Sequence, residues 1–200
     1  MRSKEYISPF DIDLVACRHV TVLKCYEIGE LGAIALGGEI IRGVCNRIIT
    51  LDLNMCGIQS RGLNKLLYGL RVGGLTSLET LKLKHNFLTP RCLGYIKECF
   101  KSNTFENLKI LDLGYNELGD EGCREISHML CHDSKYFYNI EQINLQENMI
   151  TDVGFVKLIK IIIHVQVNHA PNLNYLCLKN NPISGQIRVQ YMPLPSYVSL

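Results

Sequence analysis

Leu108-Lys-Ile-Leu111-Asp-Leu113-Gly-Tyr-Asn116-Glu-Leu118 places apolar residues at its first, fourth, sixth and eleventh positions and an asparagine at its ninth. Leu111 and Leu113 point to one side of an extended chain, and Ile110, Asp112 and Gly114 to the other, because successive strand residues alternate faces. Upstream, the same spacing returns in Ile48-Ile-Thr-Leu51-Asp-Leu53-Asn-Met-Cys56-Gly-Ile58 and in Leu78-Glu-Thr-Leu81-Lys-Leu83-Lys-His-Asn86-Phe-Leu88. Downstream it returns in Ile140-Glu-Gln-Ile143-Asn-Leu145-Gln-Glu-Asn148-Met-Ile150 and in Leu173-Asn-Tyr-Leu176-Cys-Leu178-Lys-Asn-Asn181-Pro-Ile183. All five segments satisfy L-x-x-L-x-L-x-x-N/C-x-L, and their starts lie 30, 30, 32 and 33 residues apart. A spaced pattern that returns five times is an internal repeat, the signature of a stacked architecture.

Between these segments the period changes. Gly62, Gly122 and Gly154 recur at one phase, and apolar residues follow each at +1, +4 and +8: Leu63, Leu66 and Leu70; Cys123, Ile126 and Leu130; Phe155, Leu158 and Ile162. That is the stripe of an amphipathic helix. The alternation of such strands and helices resembles leucine-rich repeat proteins, and a full helix in each unit is similar to their ribonuclease-inhibitor-like subtype. The resemblance implies an α/β leucine-rich repeat solenoid: a short right-handed horseshoe with a parallel concave sheet of about six strands and helices on the convex side. One unit cannot bury its own apolar face. Stacking joins Leu51, Leu81, Leu111, Ile143 and Leu176 into one row of a continuous core.

A degenerate unit precedes the five. Ile28 and Gly32 lie thirty residues before Ile58 and Gly62, while a strand near Val20–Cys25 fits only with a one-residue slip. The repeat domain is thus expected over residues 18–185. Residues 1–17, with Ile7, Phe10, Ile12 and Leu14, are expected to cap the N-terminal end of the core. Residues 186–200 are expected to form an extended C-terminal cap or tail, since the segment alternates like a strand up to Tyr191 and two prolines then forbid helix. The apolar stretch Phe155–Val165 offers a dock for that tail or for a partner.

Composition narrows the function classes. Lys plus Arg is 21 and Asp plus Glu 19, a net charge of +2, so no single-sign field that attracts nucleic acid or anionic lipid is implied. The most apolar run, Leu158–Val167, holds Lys160 and His164 and falls short of the roughly twenty residues of a membrane span. No apolar stretch with a cleavage site follows the N-terminus, so secretion is not expected. The nine cysteines are odd in number and lack a C-x-x-C, which suits reduced, buried thiols in a cytoplasmic or nuclear protein.

Candidate chemistry is sparse, and neither a cofactor nor a metal is expected. Cys123, His128, Cys131 and His132 form the one Cys/His cluster, but they point in different directions around a single helix, unlike a zinc ligand set. None of the glycines forms a phosphate-binding loop. Asp52, Lys82 and Asp112 share a column on three strands, an alternation that suits cross-strand charge pairing rather than acid–base catalysis. The column Cys56, Asn86, Asn116, Asn148 and Asn181 is expected to be a buried structural ladder serving backbone groups that have left the sheet.

What remains is surface. The strand residues on the concave side, with the loops after the strands, form a candidate protein-binding face: Asp52, Met55, Lys82, Lys84, His85, Lys109, Asp112, Tyr115, Gln146, Glu147, Tyr175 and Lys179. Met55, Tyr115 and Tyr175 supply anchors of the kind that dominate interface energetics. The resemblance implies a non-enzymatic, monomeric module that binds a protein partner, with no nucleic acid or membrane ligand. Two other activities share the architecture: a GTPase-activating protein of the Ran type, and an actin-capping domain like that of tropomodulin. No motif transfers residue by residue to the first, and the second lacks its C-terminal amphipathic helix.

Overall fold

A computed structural model describes residues 4–7, 20–43, 45–132, 137–165 and 172–200. The strands are β1 (Lys4–Ile7), β2 (Val22–Cys25), β3 (Thr50–Asp52), β4 (Thr80–Lys82), β5 (Ile110–Asp112), β6 (Gln142–Asn144), β7 (Tyr175–Cys177) and β8 (Val198–Ser199). The helices are α1 (Gly29–Ile41), α2 (Gln59–Val72), α3 (Arg91–Lys101), α4 (Gly119–His132), α5 (Asp152–Val165) and α6 (Gly185–Gln190). Neighbouring strands pair in parallel and in chain order, β1 to β8. The register sets Leu51 beside Leu81, Leu81 beside Leu111, Leu111 beside Ile143 and Ile143 beside Leu176. All five are buried, as are Leu53, Leu83, Leu113, Leu145 and Leu178 in the next row. Strand, turn and helix repeat along one axis over a single elongated core.

Both ends of the sheet exceed the expectation of about six strands. At the front, β1 lies within the segment expected as a cap and pairs with β2, while Phe10, Ile12 and Leu14 lie outside the described residues. At the back, β8 pairs with β7. The tail between them is not extended throughout, because residues 185–190 form α6. Ser184 caps this helix, its Oγ accepting from the Ile187 amide at 3.3 Å. The alternation of Ile187, Val189 and Tyr191 also suits a helix, in which Ile187 and Tyr191, four apart, share one face. Those two pack on the core and Val189 faces out. The prolines follow the helix and do not interrupt it. Tyr191 meets Phe155 of α5 edge-on at 6.0 Å between centroids, so the tail docks on the apolar helix.

The first unit also differs from its expected alignment. Val22, Leu23 and Lys24 pair with Thr50, Leu51 and Asp52, an offset of 28 residues, whereas Gly32 and Gly62 are 30 apart. The slip is two residues, not one. They are missing from the strand-to-helix turn, where the first unit has no counterpart of the asparagine column.

That column explains how successive units lock together. Asn116 Oδ1 accepts from the amides of Asn86 and Leu88, at 3.0 and 3.1 Å, in the preceding unit. Its Nδ2 donates to the carbonyls of Leu83, Leu113 and Gly114 at 2.9–3.1 Å. Asn86 serves Cys56 and Ile58, Asn148 serves Leu118, and Asn181 serves Asn148 and Ile150 in the same way. These amides have left the strand ladder and are buried, so without the carboxamides they would lack partners. Cys56 does part of this work, its Sγ donating to the Cys25 carbonyl at 3.2 Å.

Helices α1 and α2 are in backbone contact. A Cβ at Gly69 would overlap the Gly37 carbonyl, and one at Gly62 would lie 3.1 Å from Glu30 Cα. Beyond α2 the helices part: Gly94 of α3 lines an open groove toward α4, and a Cβ there would meet no atom within 4 Å. The convex layer is thus tight at the front and grooved on either side of α3.

Candidate functional site

The turns after β3 to β7 share a left-handed residue at one position: Met55, His85, Tyr115, Glu147 and Asn180, with φ from 52° to 57°. For a residue with a Cβ this costs about 1 kcal/mol. Asparagine and histidine adopt the conformation more readily than methionine, tyrosine or glutamate. The turn throws these side chains outward while the next residue, Cys56 or a ladder asparagine, turns in.

Tyr115 is the hub of the concave face. Lys84 Nζ lies 4.2 Å from the centre of its ring, a cation–π contact. The His85 ring stacks on it at 4.2 Å and 31°. From the following unit, Gln146 Nε2 donates to the Tyr115 hydroxyl at 3.0 Å. Gly114 makes room beside them, since a Cβ there would lie 2.9 Å from Asn144 Nδ2. Four of the twelve predicted residues thus meet at one place, on three adjacent units.

The remaining charges are largely balanced within the face. Lys109 Nζ reaches Glu79 Oε2 at 2.9 Å, and this hydrogen bond holds the lysine above its ordinary pKa. Asp52 is buried and lies 3.9 Å from Lys82 Nζ. It also accepts from the Asn54 amide, so it supports the face more than it presents itself. Asp112 accepts from Asn144 Nδ2 at 2.8 Å and from the Gly114 amide at 3.1 Å. Two strands further on, Tyr175 and Lys179 are exposed and stand apart from the hub. The Tyr175 hydroxyl has its pKa raised, chiefly by a hydrogen bond with Cys177. Glu147 is half-buried at the rim between the two groups.

Met55, 68% exposed, and Phe87, 64% exposed, flank His85. Between them a depression of about 430 Å³ opens, floored by Cys56 and Gly57 and bounded by Glu27. Sequence reasoning included Met55 but passed over Phe87 and Met149. Both occupy the position between the ladder asparagine and the last apolar residue, with φ of 55° and 58°. A large apolar side chain at a site that expects a turn residue was the available signal.

Cys92, Cys99 and Cys123 are pushed up to about 12 by burial, which holds them as unreactive thiols. Among the described residues no group of three or more His, Cys, Asp or Glu is placed to hold a metal ion, and no helix is long and apolar enough to cross a membrane.

Parallel strands in chain order, outer helices and the inward asparagine column make this an α/β leucine-rich repeat solenoid. A family profile described as leucine-rich repeat matches residues 106–127, which carry β5, Tyr115, Asn116 and the start of α4. No curated protein is significantly similar to the chain.

Proposed function

We propose that this chain is a non-enzymatic interaction module of the ribonuclease-inhibitor-like kind, cytoplasmic or nuclear and monomeric. It binds a protein partner through the concave face and the loops after the strands. The observation that carries this reading is the Tyr115 cluster. An amphipathic aromatic is held from both sides by Lys84, His85 and Gln146 on a short-stranded, stacked sheet, so binding costs little ordering entropy. The apolar depression between Met55 and Phe87 lies beside it and suits an apolar anchor from the partner.

The test is capture of partners from lysate by the wild-type chain and by the double variant Tyr115→Ala/Lys84→Glu, with circular dichroism confirming that both are folded. The expected result is a specific protein retained by the wild type and weakened about 30-fold, near 2 kcal/mol, by the double variant. Equal retention by two folded proteins would place the contact elsewhere.

A further inference from the structure

The convex surface differs from the concave one in that its charge is not internally balanced around α2 and α3. These helices carry Arg61, Lys65, Arg71, Arg91, Lys97 and Lys101 against a single acid, Glu98. Glu98 pairs with Arg71 at 3.9 Å and Glu30 with Arg61 at 3.2 Å. Lys65 and Arg91 are exposed and have no ion-pair partner among the described residues. Between the helices runs a groove, a section of about 310 Å³ near their N-terminal ends continuing into one of about 170 Å³, with Asn64 and Tyr95 lining both. Tyr68, 51% exposed, lies against Arg71 with 5.8 Å from the guanidinium carbon to the ring centre. Arginine and tyrosine beside a cleft are the composition of energetic anchors at interfaces.

We propose that this groove binds an acidic, extended segment of a partner protein. Arg61 and Arg91 give the cleft charge complementary to such a segment, and its length fits one. The 14 residues of α2 rise about 20 Å, which an extended chain of about six residues spans. Its carboxylates meet Arg61 and Arg91, which line the cleft, and one aromatic or aliphatic side chain packs against Tyr68 and Tyr95. Asn64, facing the cleft, can serve the peptide backbone. The neighbouring groove between α3 and α4, about 710 Å³, carries Glu121 and Glu125. Both of these acids pair with Arg124. Those flanking acids, with Glu30 and Glu98 in the patch, also break up the field that a nucleic acid backbone or an anionic membrane requires.

The test is fluorescence binding to an array of acidic peptides of about six residues, each with one Tyr, Phe or Leu, beside charge-neutral versions. A single-stranded oligonucleotide and phosphatidylserine vesicles are measured in parallel. The expected result is binding of acidic members that weakens about tenfold or more in Arg61→Glu/Arg91→Glu, weakens with added salt, and is unchanged in Tyr115→Ala. That last variant separates this site from the concave face. Three results overturn the proposal: no preference for acidic over neutral peptides, equal binding by the folded double variant, or tighter binding of the oligonucleotide or vesicles than of any peptide.

Discussion

Two columns run side by side through the turn that ends each strand. Asn86, Asn116, Asn148 and Asn181 face inward and are buried, while His85, Tyr115, Glu147 and Asn180, one residue earlier, face out. The inner column keeps one side chain because every unit poses the same problem, orphaned backbone amides in the unit before it. The outer column changes chemistry from unit to unit although its backbone conformation does not change. Uniformity beside variety within one turn separates the residues that hold the stack together from those free to be used for contact.

The largest expected effect breaks the inner column. Asn116→Ala leaves the Asn86 and Leu88 amides and three carbonyls short of their partner. It should lower stability by about 3 kcal/mol in urea unfolding. Tyr115→Ala, one residue away, should cost about 1 kcal/mol or less in the same assay while weakening partner binding. If the two losses in stability were alike, the division between the columns would fail.

A smaller effect has the opposite sign. Phe87 holds a φ of 55° while largely exposed, and the equivalent position in the preceding unit is Gly57, at 62°. Phe87→Gly should therefore raise stability by about 0.5 kcal/mol and weaken partner binding, measured by thermal melting and by capture. Loss of stability would mean that Phe87 packs as a structural residue.

The smallest effect at neutral pH comes from the buried thiols. Burial raises Cys92, Cys99 and Cys123 from 9.0 to about 12 and Cys56 to about 11. The folded state thus holds its thiol protons more tightly than the unfolded chain. Their contribution is fully present below pH 9 and is lost as the pH rises through 11 to 12. Urea midpoints measured from neutral to high pH should fall over that window, and a flat profile would contradict the assigned burial.

Much of the fold was legible because period and residue identity agree. The five repeats share their spacing from Ile48 to Ile183, and the register follows it. The asparagine column was legible as structural for the same reason. The first repeat was misaligned because its turn is two residues shorter, which a fixed period hides. Helix α6 was missed because three alternating apolar residues fit either period, and Ser184 decided in favour of helix. Phe105 and Phe137, each three residues ahead of a repeat's first apolar position, stack with or abut Phe100 in the core. That column could have been read and was not. In the candidate site, the concave residues were legible as a list, but the gathering around Tyr115 depends on rotamers. The groove between α2 and α3 depends on helix separation, which no single segment encodes.

Whether the outward column at Tyr115 is the contact surface can be read by site-specific photocross-linking. A photoreactive residue replaces Tyr115 in one preparation and, in another, Arg124, which pairs with Glu121 on the outer helix α4. A contact at Tyr115 should give a discrete protein adduct from position 115 that disappears with Lys84→Glu, and none from position 124. Adducts of equal yield from both positions, or none from position 115 in a folded chain, would contradict it.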